Sequence, residues 1–531
     1  MIDVADVKES SVPVVVPARK ALDQPWLFPT ALAAIMVLGG ALRLAASSGD
    51  LWLDEVWTLQ DFVAKAKSPV DIFLKPEFHH DNNHWLNTLW MYAMGTEASW
   101  LMLRFFSVLT GTATVWVVGL IARRYGKLQG LTAALLAAVC FLLVEYGSEA
   151  RGYGAAAFFG VLSFYLMDRF LKCRTWFSAA FTWLAIALGF LSHLTFVYVS
   201  VALGVWSLVH MVRESRPPKL VWNLLRLHAV PFVFVLTLYF LCVRGMTVGG
   251  APEFKAFDVI AETIGWSLGS PLRNQGAAWM VMAVAAGVIW ELYRLWKESS
   301  DDWVFYLTGI LAAPALLLLY QHATTGLYAL LPRHFIMCVP LLLILMARLL
   351  CRLADGNRLA KGCFALIVLS LCGVHITRAM NLVKLGRGQY VSAIYFIGKA
   401  THGPRITIGG DQNFRIEKML EYYDRYLPAG KTVHFCRKGE GAERGLLWGP
   451  EFPEWILMQD ATNAATVGEE FAIQPVQGGY ELRRPPDAVW DASRYKLLKM
   501  SPYQGIAYEA GPDSPLYGLS GSYWFIYRLQ H

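Results

Sequence analysis

The sequence predicts a polytopic α-helical membrane protein of about 11 transmembrane helices with a small α/β domain at its C-terminal end. Three observations carry this. Charged residues are only 16% of the 531, against 56% hydrophobic, where a soluble domain has about a quarter charged. Apolar stretches of about 20 residues recur through the first three quarters of the chain, each long enough to cross hydrocarbon as a helix, which satisfies its own backbone there. Beyond residue 384 the apolar density falls, and short segments bounded by turn residues replace the long runs.

The spans read as roughly 27–46, 100–122, 130–146, 152–171, 176–192, 193–212, 222–243, 275–294, 303–320, 332–353 and 362–382. The first is a retained span. Residues 1–24 mix Asp3, Asp6 and Glu9 with Lys8, Arg19 and Lys20, and the apolar run exceeds the roughly 7–15 residues of a signal core. Alternate loops are rich in cations: Arg123, Arg124 and Lys127; Arg169, Lys172 and Arg174; Arg213, Arg216, Lys219 and Arg226; Arg294 and Lys297; Arg348, Arg352, Arg358 and Lys361. The opposite loops carry chiefly Arg151, Arg244, Lys255, Arg273 and Arg333. The first set is expected to be cytoplasmic, with the N-terminus. An odd number of spans then puts the C-terminal region outside, in the periplasm of a bacterium whose inner membrane holds the chain.

The expected organisation is a membrane domain over 1–383, with a long outer loop at 47–99, and an α/β domain over 384–531. Within the loop, residues 55–66 and 84–94 have amphipathic patterns suited to lying along the interface. In the C-terminal domain 405–410, 431–436, 454–459, 479–484 and 522–529 read as strands and 413–426 as a helix. The loop 245–274 reads as a mobile flap containing Trp266. The net charge of +7 lies in the clusters between spans, so it marks topology and excludes a nucleic-acid partner. Eight cysteines, seven of them in or beside apolar spans, form neither a disulfide framework nor a CxxC pair.

Four places concentrate chemistry. Asp54 and Glu55 follow the first span among Leu51, Trp52, Leu53, Val56 and Trp57. Acidic side chains near membrane depth are functional by default, although Asp54 is equally suited to capping a helix. The second, FHHDNNHWLNTLW (78–90), gathers His79, His80, Asp81, Asn82, Asn83, His84 and Asn87. These side chains suit the hydroxyls of a sugar, a capped helix start or, as a weaker alternative through His79, His80 and Asp81, a metal ion. The third is the turn YGSEARGYG, with Glu149, Arg151 and Tyr153. An arginine here runs against the charge trend, and the guanidinium fork fits an anionic ligand as well as it fits Glu149. The fourth is LPRHF, where Arg333 and His334 open the tenth span and are matched to a phosphate or a lipid head group. His193 and His322 are weaker candidates near outer helix ends.

In this arrangement the chain resembles the GT-C glycosyltransferases of the protein O-mannosyltransferase and lipid A aminoarabinose transferase type. LWLDEVWTL (51–59) is similar to the acidic motif of that family's first outer loop. HDNNHWLNTLW (80–90) is similar to its second acidic stretch, with Trp85 where a proline is usual. SEARGY (148–153) and LPRHF (331–335) resemble its arginine motifs. The resemblance implies a polyprenyl-phosphate sugar donor, a hydroxyl acceptor on a glycan, lipid or protein, and inversion at the anomeric carbon. It also implies that Asp54 is the general base and that Arg151 and Arg333 meet the departing phosphate. Glu55, Asp81, His84, Glu149, Tyr153 and His334 then contact substrate. No cofactor is required, since a monophosphate leaving group does not demand a metal ion. The alternatives are a lipid-linked sugar flippase, which needs a polar path through the bundle, and a ligase or polymerase acting on pyrophosphate-linked oligosaccharides.

Overall fold

The computed structural model of the chain describes residues 24–214, 217–249, 256–269, 275–312, 315, 316, 319, 323, 331–388, 390–410, 412–437, 446–448, 453–458, 472–476, 479–483, 495–498 and 525–529. The N-terminal 1–23, His322, Lys255 and Arg273 lie outside the described residues.

The first helix, α1 (Leu27–Ala46), leads into the long loop. There α2 (Leu53–Trp57) continues as a π-helical turn, Thr58–Val63, followed by α3 (Asp71–Leu74) and α4 (Trp85–Met94). Then come α5 (Trp100–Arg123), α6 (Lys127–Val139), α7 (Phe141–Tyr146), α8 (Tyr153–Cys173), α9 (Trp176–Ser192), α10 (Val197–Glu214) and α11 (Pro217–Leu238). The bundle is completed by α12 (Ala256–Leu268), α13 (Gln275–Lys297), α14 (Asp302–Leu307), α15 (Cys338–Ala354) and α16 (Arg358–Leu385). Among the described residues seven helices are long and apolar enough to cross a membrane, and Lys127–Val139, Trp176–Ser192 and Asp302–Ala312 are shorter apolar helices.

Local chemistry sets several boundaries. Ser99 starts α5 by accepting the Met102 N–H at 3.3 Å, Thr175 starts α9 by accepting the Ser178 N–H at 3.2 Å, and Asn357 starts α16 by accepting the Ala360 N–H at 2.9 Å. Such side-chain oxygens replace partners that first-turn amides lack. The apolar run read as one span over 130–146 is two helices broken at Cys140. The freed Phe141 N–H donates to His375 Nδ1 of α16 at 3.1 Å.

Helices α5 to α8 and α15 form the centre, with Val117, Ala133, Leu142, Phe164 and Ile344 fully buried. Close approach is possible because residue 130 has no side chain: a Cβ there would stand 2.9 Å from the Gly119 carbonyl oxygen. Around this core, Val37, Phe177, Trp279 and Leu366 are exposed, which is the favoured state for apolar side chains in lipid.

Two regions differ from expectation. The pieces 55–66 and 84–94, expected along the interface, lie inside the molecule, with Leu53, Val56, Leu59, Val63 and Met91 buried. The second piece packs on α5 and α9, and the first is covered by the C-terminal region. Its helix α17 (Tyr390–Ala400) precedes strand β1 (Arg405–Gly410), and helix α18 (Asn413–Tyr423) packs on α2. Tyr423 donates its hydroxyl to the Leu51 carbonyl at 2.6 Å, and Lys418 pairs with Asp61 at 3.1 Å. The loop 245–274, read as a flap, contains the packed helix α12, whose Val259 and Ser267 are buried and whose Trp266 ring lies 5.3 Å from Phe141.

The remaining strands are β2 (Thr432–Phe435), β3 (Leu446–Trp448), β4 (Trp455–Met458), β5 (Ala472–Val476), β6 (Gly479–Arg483), β7 (Tyr495–Leu498) and β8 (Phe525–Leu529). A five-stranded mixed sheet runs β2-β1-β4-β8-β7, with β1 parallel to both neighbours, and β3-β6-β5 form an antiparallel sheet. Strands β3, β5 and β7 and helix α17 have no counterpart in the sequence reading. The first is three residues long, β5 contains Pro475, and β7 is four residues without clear alternation.

Candidate functional site

The long loop, the turn after α7 and the segment before α15 meet around a cavity of about 1080 Å³. Asp54, in the first turn of α2, faces it. Its Oδ2 lies 3.3 Å from Arg333 Nη1 and 3.7 Å from Arg151 Nη2. One carboxylate oxygen thus serves two guanidinium groups from distant parts of the chain.

Arg151 is held from the loop side. Its Nη1 donates to the Asn82 carbonyl at 2.8 Å and to the Thr58 hydroxyl at 3.2 Å, and its Nη2 lies 3.2 Å from His84 Nε2. Asn82 in turn donates to Thr58 Oγ1 and to the Asp54 carbonyl. The Nε atoms of Arg151 and Arg333 are buried without a hydrogen-bond partner. Burying a guanidinium with unused donors is costly, and a guanidinium fork is matched to an anion with several acceptor atoms.

Sequence reasoning named nine residues, and seven of them line this cavity: Asp54, Asp81, His84, Arg151, Tyr153, Arg333 and His334. The other two lie behind its wall. Glu55 was expected to orient a substrate, but both its oxygens are occupied inside the protein. Oε1 accepts from Arg104 Nε at 2.7 Å and from the Ala150 N–H at 2.6 Å, and Oε2 accepts from the Trp52 N–H at 3.0 Å. Burial pushes this carboxyl upward, yet Arg104 outweighs it and holds the group below the usual carboxylate range. Glu55 therefore fixes the turn that presents Asp54. Glu149 is also fully buried, and neither oxygen has a hydrogen-bond partner. It forms no pair with Arg151, and burial raises its carboxyl to about 8.

Asp81 holds a rim segment: its Oδ1 accepts the Gly249 N–H at 3.1 Å, while its backbone N–H donates to the Thr247 carbonyl at 3.0 Å. His80 Nδ1 lies 2.8 Å from Asp81 Oδ1, but His79 does not join them as a third ligand. His79 Nε2 lies 2.9 Å from the Phe73 carbonyl and His80 Nδ1 accepts the Asn82 N–H. Among the described residues no group of three His, Cys, Asp or Glu side chains is placed to hold a metal ion.

Sequence reasoning missed Arg104, although it is the one charged residue inside the second apolar run and the partner of Glu55. It also missed Phe414 and Arg415, which α18 brings to the cavity wall. The Phe414 ring packs edge-on against Trp57 at 4.8 Å. Nothing local in the sequence links positions 54 and 415. His193, a weak candidate from sequence, lines the cavity beside His84.

Comparison with known proteins bears on this arrangement. The family model described as dolichyl-phosphate-mannose-protein mannosyltransferase matches residues 83–240, which include His84, Arg151 and Tyr153. A sequence search of curated proteins gave no match. Among solved structures, apo ArnT from Cupriavidus metallidurans aligns with a TM-score of 0.51 at 13% identity, over 86% of this chain and 97% of ArnT. The apo oligosaccharyltransferase of Archaeoglobus fulgidus aligns with a TM-score of 0.51 at 11% identity, over 88% of this chain and 76% of that protein. The chain has the GT-C fold that these two membrane transferases share.

Proposed function

We propose that the chain is a glycosyltransferase that moves a sugar from a polyprenyl-phosphate donor to a hydroxyl group. One observation carries the reading: a carboxylate, Asp54, sits between two arginines in a cavity whose positive charge exceeds its own. The fold of ArnT and the match to a mannosyltransferase family whose description names a dolichyl phosphate support it.

Each side chain then has a task. Without ligand, Asp54 partly neutralises Arg151 and Arg333. An incoming phosphodiester offers more acceptor oxygens, takes over the guanidinium groups and frees the carboxylate. Asp54 accepts the proton of the acceptor hydroxyl as its oxygen bonds to the anomeric carbon. The bond from that carbon to the phosphate oxygen breaks, and its electron pair leaves with the lipid phosphate. Arg151 and Arg333 stabilise the charge that develops there. A single displacement of this kind inverts the anomeric centre. The guanidinium groups supply the positive charge, so the reaction proceeds without a metal ion. The cation-rich loops support an orientation in a bacterial inner membrane with the N-terminus cytoplasmic and the cavity periplasmic.

Asp54→Asn keeps the shape of the side chain and removes the base. The expected loss of transfer is about 100-fold to 10,000-fold, at unchanged expression and melting temperature. Full activity in that variant removes Asp54 from the mechanism. Activity is also expected to survive EDTA; loss in EDTA with recovery on adding Mg²⁺ or Mn²⁺ overturns the metal-free reading.

A further inference from the structure

Three histidines on the cavity wall share a feature that charge does not explain. His84 Nδ1 accepts the Gly152 N–H at 2.8 Å. His193 Nδ1 accepts the Thr195 N–H at 3.2 Å and lies 2.7 Å from the Thr195 hydroxyl. His334 Nδ1 accepts the Leu331 N–H at 3.3 Å. A backbone amide only donates, so each Nδ1 must present a lone pair. An imidazole with its lone pair on Nδ1 is neutral and carries its proton on Nε2. Burial and then Arg151 hold His84 well below the ordinary imidazole range. Burial, then His334 and Arg151, do so for His193.

Three imidazoles that each carry their proton on Nε2 therefore line one cavity, with ring centres 4.7 Å apart for His84 and His193 and 6.5 Å apart for His193 and His334. His84 Nε2 lies 3.2 Å from Arg151 Nη2. With the tautomer fixed by Gly152, that is a contact of two donors, which gains nothing until an acceptor atom joins it. The tautomers are built in by the backbone. At residue 152 a Cβ would stand 1.8 Å from the Ser192 carbonyl oxygen and 3.0 Å from His84 Nδ1, so only glycine lets the amide reach the ring.

We propose that His84, His193 and His334 form a site of neutral donors that binds the nonbridging oxygens of the donor's phosphate beside Arg151 and Arg333. The inference rests on the polyprenyl-phosphate reading. Neutral donors add directional hydrogen bonds without adding cations that would lock Asp54 into an ion pair. Because amides hold the rings in place, the donors need no reorganisation when the phosphate leaves the sugar.

The test uses the full chain in detergent and two probes, geranylgeranyl phosphate and geranylgeraniol. A glutamine amide nitrogen reaches the place of Nε2, whereas asparagine reaches only that of Nδ1. His193→Gln is expected to keep the Kd for the phosphate within about threefold of the parent, and His193→Asn to raise it about tenfold, as for a lost hydrogen bond to a charged group. Affinity for the alcohol is expected to stay constant across the three proteins. Equal phosphate affinities for the glutamine and asparagine variants, or a parallel loss for the alcohol, overturn the inference. Binding of the phosphate by the parent no tighter than the alcohol overturns the polyprenyl-phosphate reading itself.

Discussion

The two ends of the helical bundle hold arginines in different company. Where α5 and α15 end, Arg124 meets Asp302 and, at 3.0 Å, Asp168. Arg348 and Arg352 reach Glu291 at 3.1 and 2.7 Å, and Arg348 also reaches Glu298 at 3.0 Å. Each of these cations meets at least one carboxylate, and four carboxylates serve the three. At the opposite end Arg151 and Arg333 divide a single oxygen of Asp54. The first arrangement is electrically closed and ties helices together. The second is one negative charge short and opens on a cavity. An arginine in this bundle thus reads as structural where acids or, as for the buried Arg43, backbone carbonyls satisfy it, and as a candidate binding group where it opens on a cavity short of negative charge.

The strongest way to break this contrast is to make one exchange at both ends. Arg333→Gln should lower the rate of transfer about 100-fold to 1,000-fold, the usual cost of a lost charge-stabilising donor. Arg352→Gln should leave the rate within about twofold and lower the melting temperature by about 2–4 °C. Initial rates and thermal unfolding of the two variants decide it, and an equal loss of rate at both ends sinks the distinction.

Arg104→Ala sharpens the contrast, because here a matched pair stands directly behind the unmatched one. It strands the Glu55 carboxylate in the interior, with an expected cost of about 3–5 kcal/mol in denaturant unfolding. A cost below about 1 kcal/mol would show that Glu55 finds other partners.

A third test concerns Glu149, a buried acid whose oxygens have no hydrogen-bond partner. Its carboxyl sits near 8 in the folded protein, against about 4.3 in an unfolded chain. The folded state therefore binds the proton more tightly, and stability falls as pH rises from the unfolded value to the folded one. Thermal unfolding between pH 5 and pH 8 should show a steeper decline for the parent than for Glu149→Gln; parallel curves would mean that the carboxyl ionises freely.

Among the described residues the seven helices long and apolar enough to cross a membrane, out of about 11 spans read, were legible because each is one continuous run of apolar residues. Asp54, Arg151 and Arg333 were legible because each is a charge where lipid tolerates few. Glu55 looked the same from sequence, and only Arg104, 49 positions further on, separates its role from that of its neighbour. The burial of α2 was not legible, since its cover comes from α18, and an amphipathic helix shows the same pattern whether protein or lipid meets its apolar face. Arg415 carried no signal for the same reason: its position in the site is set by how α18 packs on α2.

That packing has a consequence for timing. Leu51, Val56 and Leu59 are sealed by residues that a ribosome adds more than 330 positions later, with Tyr423 bonded to the Leu51 carbonyl across a separation of 372. A nascent chain with every membrane helix already inserted still has an open cavity wall and a greasy patch where α18 will dock. The cavity is thus incomplete through most of the chain's own synthesis, and a protein cut short before residue 413 should be recognised by proteases as unfinished.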